Sequence, residues 1–520
     1  MPPDNTHTQE LRRLATFSLV FVGLALTPYA IPPLSTLRPW IPGEPLPLAG
    51  LLKQSVILNR LGELQREPSA LPEPSALPEP AHVSLPPVVD TGTIETEDTG
   101  AQWEPLFWPP TAERTALPER GPGHHEPLEV PPGALDDYFS ALAAVEDGEP
   151  GRIVRALVWG DSIIAADQVI SDVRVRAQAR FGDGGPGFLA VQVDPYWSIR
   201  GDIARTFSGQ WDNVTLVSGG SEDYRYGLSG VASTASGEAS ARIRMLDKEA
   251  EPAARVQLFY LRQPGGGTLS ASMRGGGVRT STDAEQRHDV VSEFAVRGGS
   301  LGVSVEGEGP VTFFGAALET AGPGVTWETF GIAGAHIGAM NRQGKSHLSR
   351  QIAARDPSLL VYWTGGNELS YPSLREEDGA TYRRIYGRVI DKLRAGAPDA
   401  SCLLIGPLDQ ATRYRGRIIS KEGVTTVVRH QRRVAREAGC AYWDAYAAMG
   451  GEGAFVSWMG HDPPLAVPDL MHLTREGGTV IGDLLADVLF RSYDLWREAH
   501  PEAGWAPAES VADSGLGRSE

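Results

Sequence analysis

The stretch Arg155-Ala156-Leu157-Val158-Trp159-Gly160-Asp161-Ser162 decides how the rest of the chain reads. The run from Ile153 to Trp159 has the length and apolar content of a buried strand, and helix-compatible sequence follows from Ala165 to Phe181. Gly160-Asp161-Ser162 therefore falls at the C-terminal end of a strand, the edge where open α/β sheets bind ligands. A serine at a helix start sits among free backbone N–H groups, so its own amide can hold negative charge on a bound carbonyl oxygen. Gly-Asp-Ser is also an ordinary turn and helix cap, and needs support from elsewhere in the chain.

The alternation continues on both sides. A helix is expected over Leu135–Val145, before the strand. After an interruption come a helix around Ile337–Ala354, a strand Leu359–Trp363, and a long helix ending near Arg394. A strand Cys402–Ile405, a helix Val424–Ala438, a strand Cys440–Trp443 and a last helix Glu476–Trp496 complete the series. Strands alternating with helices of this length imply parallel pairing through right-handed crossovers, hence an α/β doubly wound parallel sheet over 133–193 and 325–497. The interruption, 194–324, has another texture: short segments such as Arg255–Leu261 and Val311–Phe314, separated by Gly265-Gly266-Gly267 and Gly275-Gly276-Gly277. That pattern predicts an inserted all-β sandwich or jelly-roll module.

Two more loops carry chemistry. Pro468-Asp469-Leu470-Met471-His472 precedes the last helix, and one-turn spacing lets Asp469 accept from the imidazole Nδ1–H, leaving Nε2 to take a proton from Ser162. Thr364-Gly365-Gly366-Asn367-Glu368 closes another strand, where an Asn amide could donate to an oxyanion. Taken singly these are a cap with a surface histidine and a tight turn.

A net charge of -18 argues against a nucleic-acid partner, which needs clustered Lys and Arg. Two cysteines, Cys402 and Cys440, exclude a disulfide-dense scaffold and a cysteine metal site; a disulfide and two buried thiols are both open readings. Arg12 and Arg13 ahead of the apolar run Leu14–Leu26 predict an export segment over 1–36, read as an uncleaved membrane anchor in competition with a cleaved signal. Residues 37–66 contain helix-like apolar spacing, 67–132 read as a Pro-rich disordered tether with a Glu-Pro-Ser-Ala-Leu-Pro near-repeat, and 498–520 as a disordered tail.

In order and placement these blocks resemble the SGNH (GDSL-type) hydrolase family. The resemblance places the nucleophile at Ser162, the base at His472 with Asp469 orienting it, and an oxyanion hole at the amides of Ser162 and Gly334 and the side chain of Asn367. Gly334 lies in Phe330-Gly331-Ile332-Ala333-Gly334-Ala335, where Gly331 is its rival. Glu368 stands where the family has an aspartate, Ile163 replaces a common leucine, and the second block lacks its acidic residue, with His336 nearby. The segment Phe181-Gly182-Asp183-Gly184-Gly185-Pro186-Gly187-Phe188 followed by a β module resembles the peptidoglycan O-acetylesterases of that family. The resemblance implies an extracytoplasmic serine esterase of the bacterial cell envelope that removes O-acetyl groups from peptidoglycan or another polysaccharide. No metal or organic cofactor is called for. Acetyl transfer by the same triad and a non-catalytic wall-binding role are the alternatives. Trp197, Trp211, Tyr224 and Tyr226 are candidate sugar contacts in the β module, and His336 and His461 are candidates near the site.

Overall fold

Alternate residues along the central strands feed two different cores, and this positions everything else. In the strand Ile153–Gly160, Val154, Ala156 and Val158 face one cluster, while Leu157 and Trp159 face the other. Strand Leu359–Trp363 divides in the same way, as the two-residue period of a pleated sheet requires. A computed structural model of the chain describes residues 81–82, 123–190, 200–221, 223–246, 252–370 and 379–506. The expected export segment, the 37–66 segment and most of the tether and tail lie outside the described residues.

The catalytic sheet has six strands in the order Gly324–Gly331, Ile153–Gly160, Leu359–Trp363, Ser401–Ile405, Ala441–Trp443 and Leu128–Glu129. Five are parallel, and the last pairs antiparallel with Ala441–Trp443. Helices Asp136–Glu146, Ile170–Phe181 and Arg475–Ala499 cover one face, and Lys345–Arg355, Ala380–Arg394 and Val424–Glu437 cover the other. The fold is thus α/β with a parallel sheet and an inserted β module. Cys402 and Cys440 are joined in a disulfide across neighbouring strands, Cα to Cα 4.7 Å.

Several expected boundaries move. Strand Gly324–Gly331 has no counterpart in the hydrophobic pattern, because Thr326 and Glu328 sit at fully buried positions. Glu328 is tolerated there by its pairing with Arg355, which also meets Glu319 at 2.6 Å. The expected helix Ala165–Phe181 is two pieces, Ser162–Ala165 and Ile170–Phe181, with Asp167 between them at φ 51°. Arg174 holds that turn through both Asp167 oxygens, at 3.0 and 2.7 Å. The 67–132 tether is too long as drawn: Leu128 is buried in the catalytic core, and Ala81–His82 pair with Ser292 and Glu293. The tail likewise begins too early, since the last helix runs to Ala499 and the Trp505 N–H donates to Asp147 at 3.1 Å.

The insert is a two-sheet antiparallel sandwich. One sheet contains Thr268–Met273, Gly276–Ser281, Ser300–Glu306, Ala239–Met245 and Ile203–Ser208. The other is built around His288–Gly298, Ala253–Arg262 and Val311–Glu319. Val256, Leu258 and Tyr260 face the sandwich interior, whereas Phe259 and Leu261 pack with Trp159 and Tyr362 of the catalytic sheet. The module therefore shares a core with the catalytic domain. Gly187–Leu189 already pairs with Val311–Glu319, so the β module starts before residue 194. The glycine run ahead of it has a packing reason: a Cβ on Gly184 would lie 2.7 Å from the Val325 backbone.

Candidate active site

Three parallel strands end in register. Gly160 pairs with Gly331 on one side and Trp363 on the other, so the loops starting at Asp161, Ile332 and Thr364 leave the same sheet edge side by side. Ser162 begins its helix with Asp161 as cap, whose Oδ1 accepts from the Ile163 N–H at 3.1 Å. Burial pushes the Asp161 carboxyl up to about 6, against the pull of that N–H and of His472. Gly331 lets this helix sit close: a Cβ there would fall 1.9 Å from the Ala165 nitrogen. Packing thus accounts for Gly331, the rival oxyanion candidate.

His472 arrives from 310 positions away, and its Nε2 lies 2.9 Å from Ser162 Oγ. Its Nδ1 lies 2.7 Å from Asp469 Oδ2, while Asp469 Oδ1 accepts from the N–H groups of Met471 and His472 at 2.9 and 3.0 Å. Partial burial alone would raise the Asp469 carboxyl, but those bonds outweigh it and hold it below the usual carboxylate range. An ionised Asp469 accepts the Nδ1 proton, which leaves the Nε2 lone pair toward the serine hydroxyl. The turn between the two is tight: Leu470 adopts φ 71°, unusual for a residue with a Cβ, and no sequence pattern signals it.

Asn367 donates one Nδ2 proton to Ala335 O at 2.9 Å, which fixes the orientation of the amide and leaves its second N–H for a ligand. Its neighbour Glu368 is fully buried, and Oε1 accepts from Thr364 Oγ1 at 2.8 Å and the Ile337 N–H at 3.0 Å. Burial, with Asp161 close by, pushes Glu368 up to about 7. Asn367 and Glu368 together therefore clamp the 332–337 loop that carries Gly334. Gly334 itself is exposed at φ 74°. Sequence reading noted Glu368 as a departure but gave it no role; its span to Ile337 has no local signature.

Ser162, Gln168, Asp469, His472 and Arg475 line a cavity of about 600 Å³, and Gly201 brings the β module to its wall. The other candidates scatter. Trp211 is buried in the sandwich core with Nε1 donating to Ser208 O at 3.2 Å, and Tyr226 is buried against the catalytic domain, so neither presents a face to a sugar. Tyr224 is 58 % exposed, and Trp197 lies outside the described residues. His336 caps the short helix Ile337–Met340, its Nδ1 accepting from Gly338 and Ala339 at 3.1 and 3.3 Å; burial and Arg342 lower its pKa. His461 is exposed on a turn, with Nδ1 3.0 Å from Pro463 O.

No curated protein matches the chain. Residues 296–479 match the family model described as GDSL-like Lipase/Acylhydrolase, a span that contains Gly334, Asn367, Asp469 and His472 but not Ser162. A solved peptidoglycan O-acetylesterase superposes with a TM-score of 0.59 at 22 % identity, over 69 % of this chain and 96 % of that one. A family two carbohydrate esterase from Cellvibrio japonicus aligns at 12 % identity over 56 % of this chain and all of its own, with a TM-score of 0.23. An acetyl xylan esterase aligns at 16 % identity over 32 % and 80 %, also with a TM-score of 0.23. With three sheet-edge loops converging and the family model spanning two of them, residues 296–479 carry a GDSL-like lipase/acylhydrolase domain, and the chain is a carboxylic ester hydrolase.

Proposed function

We propose that this protein removes O-acetyl groups from peptidoglycan outside the cytoplasm, through an acyl-enzyme on Ser162. The observation that carries the proposal is the continuous relay of Ser162 Oγ, His472 and Asp469, with contacts of 2.9 and 2.7 Å. Ser162 attacks the acetyl carbonyl while His472 Nε2 takes its proton. The N–H groups of Ser162 and Gly334 and the second N–H of Asn367 receive the tetrahedral oxyanion. On collapse His472 returns the proton to the departing sugar oxygen; it then activates a water that attacks the acetyl-serine ester and frees acetate. Every donor in this scheme belongs to the chain itself.

Two findings support the choice of substrate. The β module shares a core with the catalytic domain and reaches the cavity at Gly201, and a solved structure that superposes over 69 % of this chain is a peptidoglycan O-acetylesterase. The location is supported by the Arg12-Arg13 pair before the apolar run Leu14–Leu26 and by the Cys402–Cys440 disulfide, a bond that persists in oxidising compartments. Among the described residues no helix is long and apolar enough to cross a membrane, and the Leu14–Leu26 run lies outside them. The test is acetate release by the purified protein from O-acetylated peptidoglycan, acetylated xylan and a soluble aryl acetate. The proposal expects the highest kcat/KM among the polymers on peptidoglycan. Xylan preferred over peptidoglycan, or no acetate from either, overturns it.

A further inference from the structure

Beside the active site the chain raises a two-stranded antiparallel hairpin, Ala411–Tyr414 paired with Arg417–Ser420. Arg415 and Gly416 join the strands at φ 47° and 78°, the two left-handed residues that a type I′ turn requires. The base is fastened to the catalytic loop. Ala411 N–H donates to Leu470 O at 3.0 Å, and Leu470 stands between Asp469 and His472. Lys421 N–H donates to Gln410 O at 2.7 Å, and Ser420 Oγ donates to Asp409 at 2.9 Å while accepting from the Gly453 N–H at 2.6 Å.

Cross-strand register sets Thr412 opposite Ile419 and Tyr414 opposite Arg417 on one face, and Arg413 opposite Ile418 on the other. Ile418 packs against the catalytic core, so the first face is left open. On it Tyr414 is 55 % exposed and Ile419 39 %, and the Arg415 guanidinium lies 5.1 Å from the Tyr414 ring centre. In a chain of net charge -18, the hairpin carries Arg413, Arg415 and Arg417 with no acidic residue between Ala411 and Ser420. Buried arginines such as Arg155, Arg174 and Arg355 are each paired with a carboxylate. Among the described residues the three hairpin arginines form no ion pair. Folding gains at most a weak cation–π contact from holding this exposed ring beside the Arg415 guanidinium. A sugar ring, which stacks its C–H face on an aromatic, and a carboxylate, which fits the guanidinium fork, would both find partners here.

We propose that the hairpin is a substrate-strand subsite for a carboxylate-bearing glycan, with a sugar against Tyr414 and carboxylates on Arg415 and Arg417. This deepens the peptidoglycan reading and rests on it, since peptide stems supply carboxylates that an unbranched acetylated xylan lacks. The hairpin base, at Ala411, is one backbone contact from Leu470 in the catalytic loop, so a strand held along the hairpin would have its acetyl groups brought toward Ser162.

The test uses the full chain carrying Tyr414→Ala, Arg415→Asn and Arg417→Gln together. All three positions are exposed, and Asn accepts the left-handed turn conformation. Co-sedimentation with insoluble, chemically de-acetylated peptidoglycan reads binding without turnover. The expected result is an affinity loss of about tenfold or more, and wild-type binding that weakens as salt is raised. The ratio of kcat/KM on O-acetylated peptidoglycan to that on an aryl acetate should fall by a similar factor, and Arg417→Gln alone should reproduce part of it. Binding and ratio both within about twofold of wild type overturn the proposal. So does loss of binding to vesicles of anionic phospholipid with polymer binding kept, which assigns the hairpin to a membrane surface. Hairpin-dependent binding without acetate release from any peptidoglycan would refute the esterase reading and leave the subsite standing; acetate release with hairpin-independent binding does the reverse.

Discussion

Asn367 and Glu368 are adjacent in the chain and act in opposite directions: one amide faces the site, one carboxyl faces the core. With its first N–H held by Ala335 O, Asn367 has a preorganised second donor, and removal of one such donor costs on the order of 3 kcal/mol in the transition state. Asn367→Ala should lower kcat by about 10²-fold with little change in KM, measured on an aryl acetate. Glu368 has its folded pKa raised to about 7, so its contribution to stability is full below the unfolded value near 4.5 and is lost as pH rises through about 7. Glu368→Gln keeps an acceptor for Ile337 and Thr364 and removes the buried charge. Its thermal midpoint should exceed wild type at pH 8, and the gap should close or reverse at pH 5; a gap that widens on acidification contradicts the assignment. At this scale the sequence was most informative where chemistry dictates residue type. Ser162, Asp469, His472 and Asn367 could be picked out because their residue types suit that chemistry and because their order along the chain resembles the SGNH family; singly, each motif reads as a turn or a cap. Leu470 and the Glu368 anchor could not, because left-handed backbone at Leu470 and a bond from Glu368 to Ile337 follow from tertiary contacts alone.

The elements that carry these residues are held by close approach more than by propensity. Helix Ser162–Ala165 is one turn long and far below the length at which a helix is stable alone, so it stands because Asp161 caps it and Gly331 admits it. Gly331→Ala should destabilise the fold by about 1–3 kcal/mol and displace Ser162, lowering kcat as well as the thermal midpoint. An unaltered midpoint and full activity would show that the helix can shift without cost. Legibility at this level followed hydrophobic period. Strands Ile153–Gly160, Leu359–Trp363 and Ser401–Ile405 are near-continuous apolar runs, as parallel strands covered on both faces should be. Strand Gly324–Gly331 escaped because Glu328 is buried against an arginine from helix Lys345–Arg355, a pairing visible only in three dimensions.

Between the catalytic sheet and the β module runs a buried ionic layer: Arg155 and Arg355 from one side meet Glu319 from the other, each at 2.6 Å, with Arg255 beside them. Burial would raise the Glu319 carboxyl, but Arg355 and Arg155 hold it well below the ordinary range. Its stabilisation is therefore present above the unfolded value near 4.5 and fades as pH falls below it. Arg355→Met leaves Glu319 and Glu328 short of a partner and should cost about 3–5 kcal/mol, read from denaturant midpoints at neutral pH. The sequence placed the insert through its change from helical spacing to Gly-punctuated strands, yet drew its start too late. Nothing local marks Gly187–Leu189 as the partner of Val311–Glu319, far downstream in the chain, and the shared core of Trp159, Phe259 and Tyr362 is likewise a product of assembly. The same long-range convergence underlies the chemistry, for Ser162 and His472 are 310 positions apart and meet at 2.9 Å. Peptide mapping after reaction with a serine-directed fluorophosphonate tests that claim most directly. A single adduct on Ser162, abolished together with acetate release in His472→Ala, is the expected result; an adduct on another serine, or undiminished labelling without His472, would contradict it.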